Sequence, residues 1–293
     1  MTKPVVGYIG LGIMGRPTAL NLIKAGYTLH VYARRAASLA PLLAEGAQAA
    51  ASPCELARVA DILFVNVSDT PDVEQVLLGE QGVIEAGRAG QVVVDMSTIA
   101  PLAARQMAER LAERGIDLLD APVSGGEAGA IAGTLSIMVG GKASAFERAL
   151  PLLQVLGKNI VHVGDSGAGQ VAKACNQIVV AGTIAAVAEA LTFARRSDVD
   201  AAKVRDALMG GFAGSKILEV HGKRMLDGDF RPGFKSRLHQ KDMHIVLETA
   251  RQLGLALPIS SQTTQLINAL LGLGQGEMDS SAMIKVIERM SGD

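Results

Sequence analysis

From Val5 onward, short apolar runs alternate with helical stretches, and this alternation constrains the fold more than any other feature of the chain. Seven runs read as strands: Val5–Ile9, Thr28–Tyr32, Ile62–Val67, Val92–Asp95, Asp117–Ala121, Ser136–Gly140 and Asn159–Val163. Several are apolar at nearly every position, as parallel strands covered on both faces are. Between them, Arg16–Ala25, Pro101–Arg114 and Ala143–Leu156 carry helical patterns. Strand and helix in alternation predict a doubly wound α/β sheet.

The pattern changes after Gly164. Gly169–Arg196 is rich in Ala and free of Pro, which predicts one long, largely buried helix. Ala201–Met209, Ser215–Leu226, Ser236–Leu253, Ser260–Leu271 and Ser280–Met290 also read as helices, with no convincing strand among them. The expected organisation is an α/β domain over residues 1–164 and an all-helical domain over 165–293, joined by the long helix.

Composition narrows the function classes. Hydrophobic residues make up 49% of the 293 and charged residues 19%, enough apolar side chains to bury a core. A formal net charge of -1 and the lack of Trp argue against a nucleic-acid partner. Cys54 and Cys175 form neither a disulfide framework nor a metal-binding CxxC, so a reducing, cytoplasmic setting is expected. The first residues lack the basic start and cleavage site of a signal peptide. The apolar run Ile178–Ala188 is far shorter than the roughly 20 residues of a membrane helix, so no membrane partner is expected. No His, Cys and Asp cluster stands at ligand spacing, and no metal is expected.

Gly10-Leu11-Gly12-Ile13-Met14-Gly15 is a GxGxxG that follows the first strand and opens a helix. In a Rossmann-type domain the first glycine turns the chain, the second admits the pyrophosphate and the third lets helix and strand pack closely. Helix N-terminal amides then face the phosphates. A glycine-rich turn alone would be weak; its strand-to-helix setting makes it a dinucleotide site. The second strand ends in Tyr32-Ala33-Arg34-Arg35, with Ala33 where an NAD site places an acid. Arg34 and Arg35 suit a 2′-phosphate, which favours NADP and leaves NAD possible. Asp120-Ala121-Pro122-Val123-Ser124-Gly125-Gly126 ends another strand in a polar turn, where Ser124 and the amides of Gly125 and Gly126 could hold a carboxylate.

The chain resembles the β-hydroxyacid dehydrogenase family. The resemblance rests on GLGIMG at Gly10–Gly15, DMSTIAP at Asp95–Pro101, DAPVSGG at Asp120–Gly126, GTLSIMVGG at Gly133–Gly141, GAGQVAKACNQ at Gly167–Gln177 and HQKD at His239–Asp242. These motifs follow family order over almost the whole chain. The resemblance implies a Rossmann domain, a helical substrate and oligomerisation domain, an active site between them, and a homodimer or homotetramer.

It also implies residue roles. Lys173 is the catalytic general acid and base, with Asn176 at i+3 on the same helix face. Ser124, Gly125 and Gly126 bind the substrate carboxylate. The cofactor set is Gly10, Leu11, Gly12, Ile13, Met14, Gly15, Arg34, Arg35, Val67, Ser68, Ser97, Thr98 and Lys241. A lysine in an Ala-rich apolar helix needs a purpose or a partner, which separates Lys173 from an ordinary surface lysine. His239, Cys175 and Met14 read equally well as packing residues.

Gly210–Ser215 and Leu238–Asp242 are similar to the branch that reduces 2-hydroxy-3-oxopropionate to D-glycerate. Ala33 departs from the acid expected in that branch, which bears on the cofactor and not on the chemistry. A 3-hydroxyisobutyrate dehydrogenase or another short 3-hydroxyacid dehydrogenase is the alternative, and a non-catalytic NADP sensor is the reading from another class.

Overall fold

The computed structural model describes residues 3–292. Contacts divide the chain into two compact units between Lys173 and Ala174, within the helix Ala168–Arg196 and later than residue 164.

The first unit is built on nine strands: β1 Val6–Ile9, β2 Leu29–Tyr32, β3 Gln48–Ala49, β4 Ile62–Val65, β5 Val92–Asp95, β6 Asp117–Asp120, β7 Val123–Ser124, β8 Leu135–Gly140 and β9 Gly157–Gly164. Their order is β3-β2-β1-β4-β5-β6-β8-β7, with β9 beside β8. Strands β1 to β6 run parallel in the order 3-2-1-4-5-6, β8 is antiparallel to β6 and β7, and β9 is parallel to β8. Because successive side chains leave opposite faces of a strand, the apolar runs feed two cores. Val6, Tyr8, Ile62, Phe64, Val92 and Val94 pack on one face. Ile9, Leu63, Val65 and Val93 pack on the other.

The apolar runs mark these strands, with differences at several ends, as at β9, which begins at Gly157 rather than Asn159. Strand β4 stops at Val65 rather than Val67. Its neighbours stop in register with it at Ile9 and Asp95, and the Val67 amide then donates to the Ser97 hydroxyl at 3.0 Å instead of to a ladder. The two-residue strands β3 and β7 are additional; both residues of β3 are exposed, so it shows no apolar alternation.

Among the described residues the second unit is helical, with helices at Ala201–Met209, Lys223–Asp227, Ser236–Gln252, Pro258–Gly272 and Met283–Met290. Its own core includes Ala181, Ile184, Leu191, Leu218, Met243, Val246, Ile267 and Met283. A wide turn at Leu218–Gly222 interrupts the helix expected over Ser215–Leu226.

The helix Ala168–Arg196 is long and apolar enough, by length and composition, to cross a membrane, with a mean hydropathy of 1.7 in its most apolar window. Its apolar stretch is longer than the run Ile178–Ala188 on which the expectation was based. Half of that window is buried inside the protein, as in a core helix.

Candidate active site

The glycine motif is built as the roles of its three glycines require. Gly10 leaves β1 at φ +91°, and a Cβ there would lie 2.2 Å from the Asn66 carbonyl oxygen. Gly15, the first residue of the helix Gly15–Lys24, could not carry a Cβ without approaching the Gly10 carbonyl oxygen to 1.9 Å. Gly12 is different: a Cβ there would meet no atom within 4 Å. The helix has no side-chain cap and no acid in its first turn, so the positive end of its dipole is left for an anion.

A cleft of about 730 Å³ opens at this point, lined by Gly10, Leu11, Gly12, Ala33, Arg34, Arg35, Val67 and Ser68 among others. Seven residues of the expected cofactor set therefore line one cavity. Ile13 is exposed, and Met14 is half-buried against the core. Ala33 also packs against that core, while Arg34 and Arg35 are exposed. Arg34 pairs with Asp72, Nη1 to Oδ1 at 3.1 Å. Asn66, Ser38 and Gln75 line the cleft as well, although the sequence reading did not single them out.

Ser97 and Thr98 follow β5 and differ in exposure. Ser97 is buried; its hydroxyl accepts from Val67 and its amide donates to Asp95 Oδ1 at 3.0 Å. It holds the two loops together from inside. Thr98 is the more open of the pair.

The start of the long helix is fastened to this unit by Asp120, at the end of β6. Asp120 Oδ1 accepts the Gly167 amide at 2.7 Å, and Oδ2 accepts the Gln170 amide at 2.8 Å. Burial pushes its carboxyl above the ordinary carboxylate value, against the pull of these N–H donors. Gly169 allows the close approach: a Cβ there would lie 2.4 Å from the carbonyl oxygens of Asp120 and Met138. Gln170 is buried, donates to the Ser97 carbonyl at 2.8 Å and accepts the Ile99 amide at 3.1 Å.

One turn later comes Lys173, only 7% exposed. Its Nζ donates to the Val123 carbonyl at 2.8 Å. Val123 directly precedes Ser124, Gly125 and Gly126, and Gly126 begins the helix Gly126–Ala132. A buried ammonium thus lies one residue from the polar turn expected to hold a carboxylate. Asp120 and Gln170 escaped the sequence reading because their partners lie far away along the chain; the signal available was a carboxylate and an amide inside the two family motifs.

In the second unit, Asn176 Nδ2 donates to Gln177 Oε1 at 2.8 Å, and Gln177 Nε2 donates to Asp242 Oδ2 at 2.6 Å. Lys241 pairs with Asp242 at 2.9 Å; the carboxylate is 3% exposed. This pair is therefore built into the unit and is not a solvated surface pair. His239 is fully buried, bonded to Ser280 at 2.9 Å and tilted against Phe234, a packing histidine.

Two family models match the chain. The NAD-binding domain of 6-phosphogluconate dehydrogenase covers residues 5–164, and the NAD-binding domain of NADP-dependent 3-hydroxyisobutyrate dehydrogenase covers 167–287. The 2-hydroxy-3-oxopropionate reductase of Escherichia coli is 48% identical over 98% of each chain. A crystal structure of 3-hydroxyisobutyrate dehydrogenase from Salmonella typhimurium is 34% identical, with a TM-score of 0.86 over 97% of this chain and 100% of that one. The structure of Psf3 in complex with NADP+ and 2-OPP is 27% identical, with a TM-score of 0.88 over 97% and 100%.

Proposed function

Because the chain belongs to the β-hydroxyacid dehydrogenase family, we propose that it reduces tartronate semialdehyde (2-hydroxy-3-oxopropionate) to D-glycerate, reversibly, with NADPH. The chain is a nicotinamide-dependent oxidoreductase of hydroxyacids.

The cleft fits a dinucleotide. Gly12 leaves room where a pyrophosphate would approach, the uncapped helix Gly15–Lys24 presents its N-terminus, and Arg34 and Arg35 stand beyond Ala33 at the end of β2. The absence of an acid at Ala33 and the two guanidinium groups support NADP over NAD. When bound, the nicotinamide supplies or receives the hydride.

The observation that carries the reading is Lys173, buried and held 2.8 Å from the Val123 carbonyl beside Ser124. Ser124 and the amides of Gly125 and Gly126 bind the substrate carboxylate and so orient the aldehyde. As the carbonyl oxygen gains alkoxide character, the Lys173 ammonium stabilises that charge and supplies the proton. In the reverse direction the neutral amine removes it. Asn176, at i+3 on the same helix, orients the lysine or the substrate. A cytoplasmic homodimer or homotetramer is part of the same proposal.

Oxidation of 3-hydroxyisobutyrate is the second reading, favoured by the description of the model that matches residues 167–287. Steady-state kinetics with both substrates, each with the phosphorylated and unphosphorylated cofactor, separates the two. The proposal expects kcat/KM for tartronate semialdehyde with NADPH to exceed the other combinations by roughly tenfold or more. Higher kcat/KM with 3-hydroxyisobutyrate would replace it with the second reading. Absence of turnover with both would point to another short 3-hydroxyacid as the substrate.

A further inference from the structure

We infer that Asp72 sets how strongly the cleft distinguishes NADPH from NADH, by competing with the 2′-phosphate for Arg34. The inference rests on the reading of Arg34 as the phosphate partner.

Asp72 lies in the first turn of the helix Thr70–Leu78, whose Gln75 and Val76 line the cleft. Arg34 lines it from the segment after β2. The ion pair, 3.1 Å between Nη1 and Oδ1, therefore joins two segments that border the same cavity. The Arg34 side chain is 75% exposed and that of Asp72 is 27% exposed. Ion pairs this open are weak, so Arg34 can change partners. A phosphate attracts its planar fork in a bidentate way.

Asp72 cannot follow. It belongs to a helix, and its charge is favoured there by the dipole at the helix N-terminus. Its carboxylate remains beside the place where Arg34 would hold the phosphate, so part of the attraction is cancelled. NADH has no 2′-phosphate and requires no exchange at Arg34. Asp72 thus weakens NADPH selectively and leaves room for NADH in a site whose strand end, at Ala33, carries no acid.

The test is kcat/KM for NADPH and for NADH in Asp72→Asn, Asp72→Glu, Arg34→Ala and the Arg34→Ala/Asp72→Asn pair. Asp72→Asn should raise the NADPH-to-NADH preference roughly two- to fivefold, the range of an exposed ion pair, and the gain should shrink as salt is added. Asp72→Glu keeps the charge and should stay near the original preference. Arg34→Ala should collapse the preference, and in that background Asp72→Asn should add little. An unchanged or lower preference in Asp72→Asn, with Arg34→Ala still collapsing it, overturns the role of Asp72 and leaves Arg34 as the reader. The same gain in both backgrounds would mean that Asp72 acts without Arg34, against the inference. No effect of Arg34→Ala would remove the reading of Arg34, and the inference with it.

Discussion

Gly12 and Gly15 stand three residues apart in one motif and do opposite things. A Cβ at Gly15 would run into the Gly10 carbonyl oxygen at 1.9 Å, whereas one at Gly12 would project into open space. Gly15→Ala should therefore destabilise the fold by about 1–3 kcal/mol, the cost of overpacking a close contact, seen as an earlier denaturant midpoint. Gly12→Ala should melt near the unmodified protein and lose NADPH affinity in a fluorescence titration. The reverse pattern would show that the cofactor does not approach Gly12. Ser124 is a different kind of residue, half-buried in β7 beside Lys173's partner Val123. Ser124→Ala should raise KM for the aldehyde acid while leaving the affinity for NADPH nearly unchanged; a loss confined to the cofactor would put the carboxylate elsewhere.

Among the elements, the long helix shows how the chain fixes Lys173, the proposed general acid. Asp120 accepts the amides of Gly167 and Gln170 with its two oxygens, and Lys173 follows one turn on. In Asp120→Asn one of those amides would meet an NH2 in place of an oxygen. Leaving a buried donor unmatched costs about 1–3 kcal/mol. Thermal unfolding should register that loss, and kcat should fall because the register of Lys173 is no longer fixed. Unchanged stability would mean that the helix start is held by its glycine packing alone. Most elements were legible in the sequence because their apolar periods are strong: Ala143–Leu156 and Ala201–Met209 coincide with the observed helices. What escaped was set by distant partners. Strand β3 is two exposed residues, β4 ends early because the Ser97 hydroxyl captures the Val67 amide, and the wide turn at Leu218–Gly222 leaves no periodic trace. The candidate site followed the same rule. The glycines and Arg34 stand out by type and spacing and Lys173 through the family resemblance, whereas Asp120, Gln170 and Asp72 gain meaning only from residues far along the chain.

For the whole molecule, the exposed side of the long helix bears on assembly. Val179 and Phe193 are 66% and 75% exposed and, with exposed Ala186 midway, recur every seven residues along one face. Ile259 is another large apolar residue left 65% exposed in this unit. Contiguous exposed apolar patches often mark interfaces, and in the proposed homo-oligomer a second copy of the chain would supply the same stripe by symmetry. Light scattering at micromolar concentration should give a multiple of the 30.4 kDa chain mass, and Phe193→Glu should lower it. A mass near 30.4 kDa for the unmodified chain would refute the homo-oligomer.

The central claim, that Lys173 supplies the proton to the reduced aldehyde, is tested most directly by kcat in Lys173→Ala, measured with tartronate semialdehyde and NADPH on protein whose melting is checked alongside. General acid catalysis contributes about 10²- to 10⁴-fold, so kcat should fall at least that far. NADPH affinity should hold, because the glycines and Arg34 that line the cofactor cleft are untouched. Lys173→Arg should be equally poor, since a guanidinium differs in shape and does not give up its proton. Near-original kcat in a stably folded Lys173→Ala protein would contradict the account.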